Sequence, residues 1–273
     1  MSNPPPKSSR SLTLEARLPA TPEELTRMLT EPAELAQWFA PFVDGSGRLG
    51  DALTFGWGPD VVWTTRVQVV ERGKRVCWRD APPEEQRGGP PGDMVLEWTL
   101  TAEPGGTRLR LVHSGFGDGT EWDDQFDATE KGWAFFFWHL GETLRHHRNE
   151  QRVMVWERRT SRLSREALGA RLFGRDGLAL DPERPQAGST ARLRLGVTRT
   201  SFEAQHVLFP THLWGRFPEL NGAVLLVEME PGRTGPVQTG FWLSTWGLDA
   251  QRLAAVKAGL RSVANAVFGS PAS

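Results

Sequence analysis

The sequence predicts an α+β helix-grip fold, in which a curved antiparallel sheet surrounds a long C-terminal helix, and it predicts two tandem copies of that fold. The first observation is an aromatic helix: GWAFFFWHLGETL, residues 132–144, places Trp133, Phe137 and Leu140 on one stripe at 100° per residue. The second is the series of alternating strands before it, whose short Gly-containing turns favour antiparallel pairing. The third is a faint recurrence of the same element order after residue 150.

The first half begins with an alternating strand at residues 11–18 and two short helices. Three signals agree on the start of the first helix: Thr21 suits the N-cap, Pro22 the first helical position and Glu24 the capping box. The second helix is predicted at residues 32–38.

A meander of about five strands follows, each with one apolar face. The predicted strands are residues 49–57, 61–70, 75–79, 94–101 and 107–116. Strict alternation in the second of these puts Val67 and Val69 on the same inner face. A loop rich in Pro and Gly covers residues 81–92, and the aromatic helix runs from about Phe126 to Glu150.

The second half has the same order with weaker patterns. Ser164 is predicted to cap a helix that reaches Phe173, and the final helix extends from Asp249 to Phe268. The predicted strands are residues 152–159, 192–195, 200–209, 223–230 and 237–246. We therefore expect an internal duplication, with a disordered tail at residues 1–10, a ligand-binding domain at 11–150 and a second, divergent domain at 151–273.

Composition and charge restrict the function classes. A formal net charge of −1 argues against nucleic acid or an anionic membrane as the main partner. No apolar run approaches the roughly 18 residues of a membrane-spanning helix, and the first residues lack the apolar stretch of a secretory signal. Cys77 is the only cysteine, which excludes intramolecular disulfides and cysteine zinc clusters. These observations predict a cytoplasmic protein.

Several segments of the first half resemble one known family. Residues 30–41, TEPAELAQWFAP, resemble the T-[DE]-P-x-x-L-x-x-W-[FW]-x-P segment of the SRPBCC (START-like) superfamily, in the branch of activators of the heat-shock protein 90 ATPase. GGTRL at 105–109, HSGF at 113–116 and the pair Gly132-Trp133 agree with the same branch.

The resemblance covers roughly residues 12–148 and is topological for the second half. It implies a deep cavity between sheet and C-terminal helix that often binds an apolar molecule. The superfamily also includes cyclases, dehydratases, hydrolases and proteins that act on protein partners, so the fold does not determine the function.

Inward-facing aromatic side chains and one histidine are the candidate binding residues. Alternation places His113 on the cavity face after Leu109 and Leu111, where it is suited to ligand binding or to acid/base catalysis. A core histidine bonded to a backbone carbonyl is the alternative, and no nearby segment obviously supplies a carboxylate. The predicted ligand-binding residues are Trp57, Trp63, Trp78, Trp98, His113, Trp133 and Phe137. Core packing of the aromatic residues explains the same pattern.

Two further groups lie on the other faces of the aromatic helix. His139, Glu142 and His146 have a spacing that mimics metal ligands, but they are predicted to form a solvated polar face, and we expect no metal. Phe135 and Trp138 are predicted to point outward and to pack against the second domain or the other copy of a homodimer. With no P-loop and no GxGxxG between a strand and a helix, we expect no cofactor.

The sequence thus predicts that the N-terminal domain binds a small hydrophobic ligand. The alternatives are an enzyme of cyclase or hydrolase type acting on such a ligand, with unknown catalytic residues, and a chaperone-linked regulatory protein.

Overall fold

The chain forms two units, residues 1–148 and 149–273, each with one antiparallel sheet and one long helix. The computed structural model describes residues 10–58, 61–81, 94–230 and 236–269. The predicted tail at 1–10 and loop at 81–92 lie outside the described residues, except for Arg10 and Ala81. Arg10 is the first residue of a strand, and its guanidinium pairs with Asp123 at 2.7 Å.

The first unit contains a seven-stranded sheet and three α-helices within the described residues. In chain order the elements are β1 (Arg10–Leu18), α1 (Pro22–Thr30), α2 (Pro32–Trp38), β2 (Phe42–Gly45), β3 (Ala52–Gly56), β4 (Val62–Glu71), β5 (Arg75–Asp80), β6 (Val95–Glu103), β7 (Gly106–Phe116) and α3 (Asp123–His146). The sheet order is β1-β7-β6-β5-β4-β3-β2, so the first strand pairs with the last and the others follow in reverse.

Local signals define the two short helices. The Thr21 hydroxyl accepts a hydrogen bond from the backbone N–H of Glu24 at 3.1 Å, and Pro22 occupies the first turn of α1. Both helices lie where the sequence predicts them. Strand β2 was not predicted, because its four residues, Phe42–Gly45, include no buried side chain and therefore no apolar alternation.

A β-bulge in β4 makes one predicted face wrong. Val67 pairs with Trp78 and Val69 pairs with Cys77, so Gln68 is the extra residue on this strand. The extra residue reverses the alternation beyond it. Val70, not Val69, therefore packs against the core.

The second unit repeats the topology with one short helix instead of two. Its elements are β8 (Val153–Ser161), α4 (Arg165–Phe173), β9 (Thr190–Leu195), β10 (Thr198–Leu208), β11 (His212–Phe217), β12 (Ala223–Met229), β13 (Val237–Thr245) and α5 (Ala250–Phe268). The sheet order is β8-β13-β12-β11-β10-β9, which again pairs the first strand with the last. The two units are tandem helix-grip copies.

Strand β11 was also not predicted. Its residues His212 to Gly215 are all buried, so neither face carries the polar side chains that give a half-buried strand its alternation. The core of this unit is contiguous, and α5 contributes Val256, Leu260, Val263 and Val267 to it. No helix in the described ranges combines the length and hydropathy needed to cross a membrane.

Phe39, immediately after α2, is the centre of the aromatic core in the first unit. Its side chain is 2% exposed. Its ring centroid lies 4.6 Å from that of Phe136 on α3, 5.0 Å from Phe55 on β3 and 5.1 Å from Trp57. It stacks on Trp133 at 5.3 Å with the planes 7° apart. One ring thus joins α2, the sheet and α3.

Replacing this ring is expected to destabilise the first unit strongly. Phe39→Ala removes a buried ring from a packed cluster, and we expect a loss of about 3–5 kcal/mol in the free energy of unfolding. Phe42→Ala is the matched control, because Phe42 is 63% exposed and its truncation should change stability by about 0.5 kcal/mol or less. Urea unfolding followed by tryptophan fluorescence measures both, and equal effects of the two variants would contradict this account.

Candidate functional site

A pocket of about 260 Å³ lies between the sheet and α3 in the first unit. Four neighbouring strands or strand ends contribute one side chain each: Trp63 from β4, Asp80 from β5, Met94 before β6 and His113 from β7. The helical wall is formed by Phe39, Gln125, Thr129, Gly132, Trp133 and Phe136. The pocket therefore has an aromatic lining with two ionisable side chains on its sheet side.

Three of the seven predicted binding residues line this pocket, namely Trp63, His113 and Trp133. The other four lie in the aromatic core beside it. Trp78 and Trp98 are fully buried, and Phe137 stacks on Trp98 at 5.8 Å. Trp57 packs edge-on against Phe39. Aromatic side chains thus occupy much of the space that the resemblance implied to be a deep cavity.

His113 is held in one orientation by Trp133. The indole Nε1–H of Trp133 donates to Nδ1 of His113 at 3.0 Å, so Nδ1 is the acceptor and the ring hydrogen is on Nε2. The alternative predicted for His113 was a core histidine bonded to a backbone carbonyl, whereas its partner is the indole of Trp133. The side chain is 5% exposed, and Nε2 has no hydrogen-bond partner among the described residues. Burial lowers the pKa of His113 to about 4, so the imidazole is neutral at pH 7.

Asp80 is a site residue that the sequence analysis missed. The Nε1–H of Trp63 donates to its Oδ1 at 2.8 Å. Burial raises the pKa of Asp80 to about 6, and the hydrogen bond from Trp63 opposes that rise. Asp80 lines the same pocket as His113, but its hydrogen bond is to Trp63 and it does not orient the imidazole. A signal was present, since Asp80 continues the inward alternation of Val76 and Trp78 along β5.

The polar residues of α3 are less solvated than predicted. His139 is 0% exposed, and its Nδ1 donates to the backbone carbonyl of Trp38 at 2.7 Å. Glu142 is also buried and pairs with Arg145 at 3.2 Å, whereas His146 is exposed. The prediction of a solvated face was wrong for His139 and Glu142. His139 instead connects α3 to the end of α2.

Phe135 and Trp138 differ in exposure. Phe135 is 4% exposed and stacks on the ring of His139, with centroids 5.3 Å apart and planes 11° apart. Trp138 is partly exposed, and its centroid lies 6.2 Å from that of Phe135.

The order of the elements, the aromatic helix and the pocket agree with a family-level match. The model of the activator of Hsp90 ATPase homolog 1-like (AHSA1) protein family matches residues 19–145. The matched residues form an AHSA1-like unit in the first half of the chain. The AHSA1-like unit is of the SRPBCC type, as its residues 30–41 and 113–116 predicted. No curated protein sequence matches the chain.

Three of the solved structures similar to the chain differ in how much of it they cover. The Aha1 dimer from Colwellia psychrerythraea is 23% identical with a TM-score of 0.43, over 50% of this chain and 96% of that one. Protein MLL2253 from Mesorhizobium loti is 26% identical with a TM-score of 0.44, over 50% of this chain and 98% of that one. DynU16, from the dynemicin biosynthetic locus, is 18% identical with a TM-score of 0.41, over 94% of this chain and 96% of that one.

The two ionisable groups of the AHSA1-like pocket predict opposite pH dependences of stability. The pKa of Asp80 is raised from 3.8 to about 6 on folding, so wild type should lose about 2 kcal/mol relative to Asp80→Asn as pH rises from about 4 to 6. The pKa of His113 is lowered from 6.5 to about 4, so wild type should gain about 3 kcal/mol relative to His113→Gln as pH rises from about 4 to 6.5.

Urea unfolding of the three proteins at pH 4, 5, 6 and 7 measures these differences. The two effects partly cancel in wild type, so each is visible only as a difference from its variant. If the stability differences between wild type and the two variants change with pH in the same direction, or do not change at all, the pocket does not shift the pKa values of these groups as described.

Proposed function

We propose that the first unit binds a small, largely apolar molecule in the pocket between the sheet and α3. The observation that carries this proposal is His113, which lines the pocket and whose buried Nε2–H has no hydrogen-bond partner among the described residues. Leaving a buried donor unpaired is unfavourable, and an acceptor on a bound molecule would satisfy it. The rings of Trp63, Trp133 and Phe136 supply the apolar surface.

The volume limits the size of that molecule. A dry apolar cavity of about 150 Å³ holds benzene. A pocket of about 260 Å³ therefore suits a molecule of about two fused rings rather than a sterol-sized one. Burial of such a molecule would contribute roughly 25 cal/mol per Å² of apolar surface removed from water.

An enzyme acting on the bound molecule is the second candidate, and one observation favours it. Asp80, whose pKa is raised to about 6, and the neutral His113 line the same pocket. A carboxylate with that pKa is suited to accept a proton, and a neutral imidazole N–H is suited to stabilise a developing oxyanion. A much larger loss of turnover than of binding in His113→Ala would favour this candidate. Chaperone-linked regulation stays a prediction, which a chaperone pull-down tests.

Native mass spectrometry of freshly purified protein, repeated after denaturation, is the direct test for a resident molecule. A mass excess that disappears on unfolding would support the carrier function and begin to identify the ligand. If both measurements give the mass of the protein alone, the protein does not carry a tightly bound ligand, and weak binding or catalysis is favoured instead.

Gly132 offers a way to block the pocket without removing a contact. It lines the pocket, and a Cβ at this position would have no heavy atom within 4 Å. Gly132→Leu should place its side chain in the cavity and lower the affinity for naphthalene, used as the probe, at least tenfold. The replacement should not destabilise α3, because Leu has a higher helix propensity than Gly.

Equilibrium dialysis measures naphthalene binding to wild type and variants. Glu130→Leu is the matched control, since it adds the same side chain at an exposed position of the same helix. Naphthalene binding that is absent in wild type, or equal in Gly132→Leu and wild type, would refute binding in this pocket.

We also propose a cytoplasmic location, based on a single, buried cysteine, Cys77. Pairing of two copies through Phe135 and Trp138 stays a prediction. Multi-angle light scattering tests it, with Trp138→Ala as the variant because Trp138 is the partly exposed ring of the two.

A further inference from the structure

The pocket has two different polar groups at separate positions on its sheet wall. His113 presents a hydrogen-bond donor, because Trp133 occupies its Nδ1 and leaves the hydrogen on Nε2. Asp80 presents a carboxylate, of which one oxygen accepts from Trp63. One group therefore recognises an acceptor and the other recognises a donor.

The strand register sets the distance between the two groups. Trp78, Leu96 and His113 lie opposite one another on β5, β6 and β7. Asp80 is on the same face as Trp78, two residues further along β5. Two strand spacings and two residues of rise separate the Cα atoms of Asp80 and His113 by about 12 Å, before their side chains reach into the pocket.

The space between these two groups is bordered by flat apolar surfaces. Trp63 and Trp133 border it next to Asp80 and His113 respectively, and Phe136 lies on the helical wall. Among the described residues no hydrogen bond joins Asp80 to His113, since each is bonded to a different tryptophan. A rigid molecule that spans the pocket can engage both groups at once.

We propose that the ligand is a planar aromatic compound of two fused rings, with a carbonyl oxygen that accepts from His113 and, at its other end, a hydroxyl or amine hydrogen that is donated to Asp80. This inference rests on the proposed function, because it names the chemistry of the molecule bound in the same pocket. Sites built to pair with a polar group reject analogues that lack it far more strongly than apolar pockets discriminate by size.

A matched series of naphthalenes tests the two ends separately. The full probe is 6-acetyl-2-naphthol. In 2-acetyl-6-methylnaphthalene a methyl group replaces the hydroxyl, and in 6-ethyl-2-naphthol a methylene replaces the carbonyl. We expect wild type to bind each analogue about tenfold more weakly than the full probe, as measured by equilibrium dialysis at pH 7.5, where Asp80 is ionised.

Two variants assign each preference to its residue. Asp80→Leu should abolish the preference for the hydroxyl compound over its methyl analogue and keep the preference for the acetyl compound over its ethyl analogue. His113→Phe should do the reverse. Because the comparison within wild type requires no variant, the proposal remains testable if either replacement impairs folding.

The outcomes separate this inference from the proposed function. If wild type binds all three compounds equally and Gly132→Leu still blocks naphthalene, the ligand chemistry proposed for this pocket is wrong and the apolar site stands. If each variant reduces the hydroxyl preference and the acetyl preference to the same extent, Asp80 does not bind the hydroxyl end and His113 does not bind the carbonyl end as proposed. If Gly132→Leu does not weaken naphthalene binding, the site and the inference fail together.

Discussion

The packing of the Phe39 ring constrains the whole first unit. It lies immediately after α2, where the chain turns towards β2, and it contacts rings from the sheet and from α3 at centroid distances near 5 Å. Interiors are close-packed, so a ring in this position determines how near α3 can approach the sheet. The stacking of Phe39 on Trp133 also orients the indole that holds His113. The core and the site therefore share one ring.

Because the core and the site share the space between the sheet and α3, the aromatic core limits the size and position of the pocket. The large aromatic residues occupy the middle of the space between sheet and α3, with Trp78 and Trp98 fully buried. The remaining pocket is bordered by the last inward residue of β5 and by His113 on β7. Each of the two polar side chains is anchored by an indole N–H, from Trp63 and Trp133. Tryptophan thus fills the core and also orients the polar groups.

Local signals in the sequence predicted most elements, whereas contacts across the sheet were not predictable. Thr21 and Ser164 cap helices through their own neighbours, so short patterns suffice. Alternation along β5 places Asp80 on the inner face, but no local pattern encodes the side-by-side arrangement of β5, β6 and β7 that brings it to the same pocket as His113. A single extra residue at Gln68 reverses a face, and periodicity cannot detect it. His139 was assigned to solvent because a helical wheel does not show that its ring reaches the backbone of Trp38.

The pairing of the first strand with the last has a consequence for how each copy is made. In the first unit Leu12 is opposite His113, and in the second Val153 is opposite Thr245. Such pairings are among the most distant in sequence, and closing a long loop before its contacts form slows folding. During synthesis the sheet of each copy stays incomplete until its final strand has left the ribosome. His113 is on that strand and Trp133 is on the helix that follows it, so the lining of the pocket is incomplete until both have been synthesised.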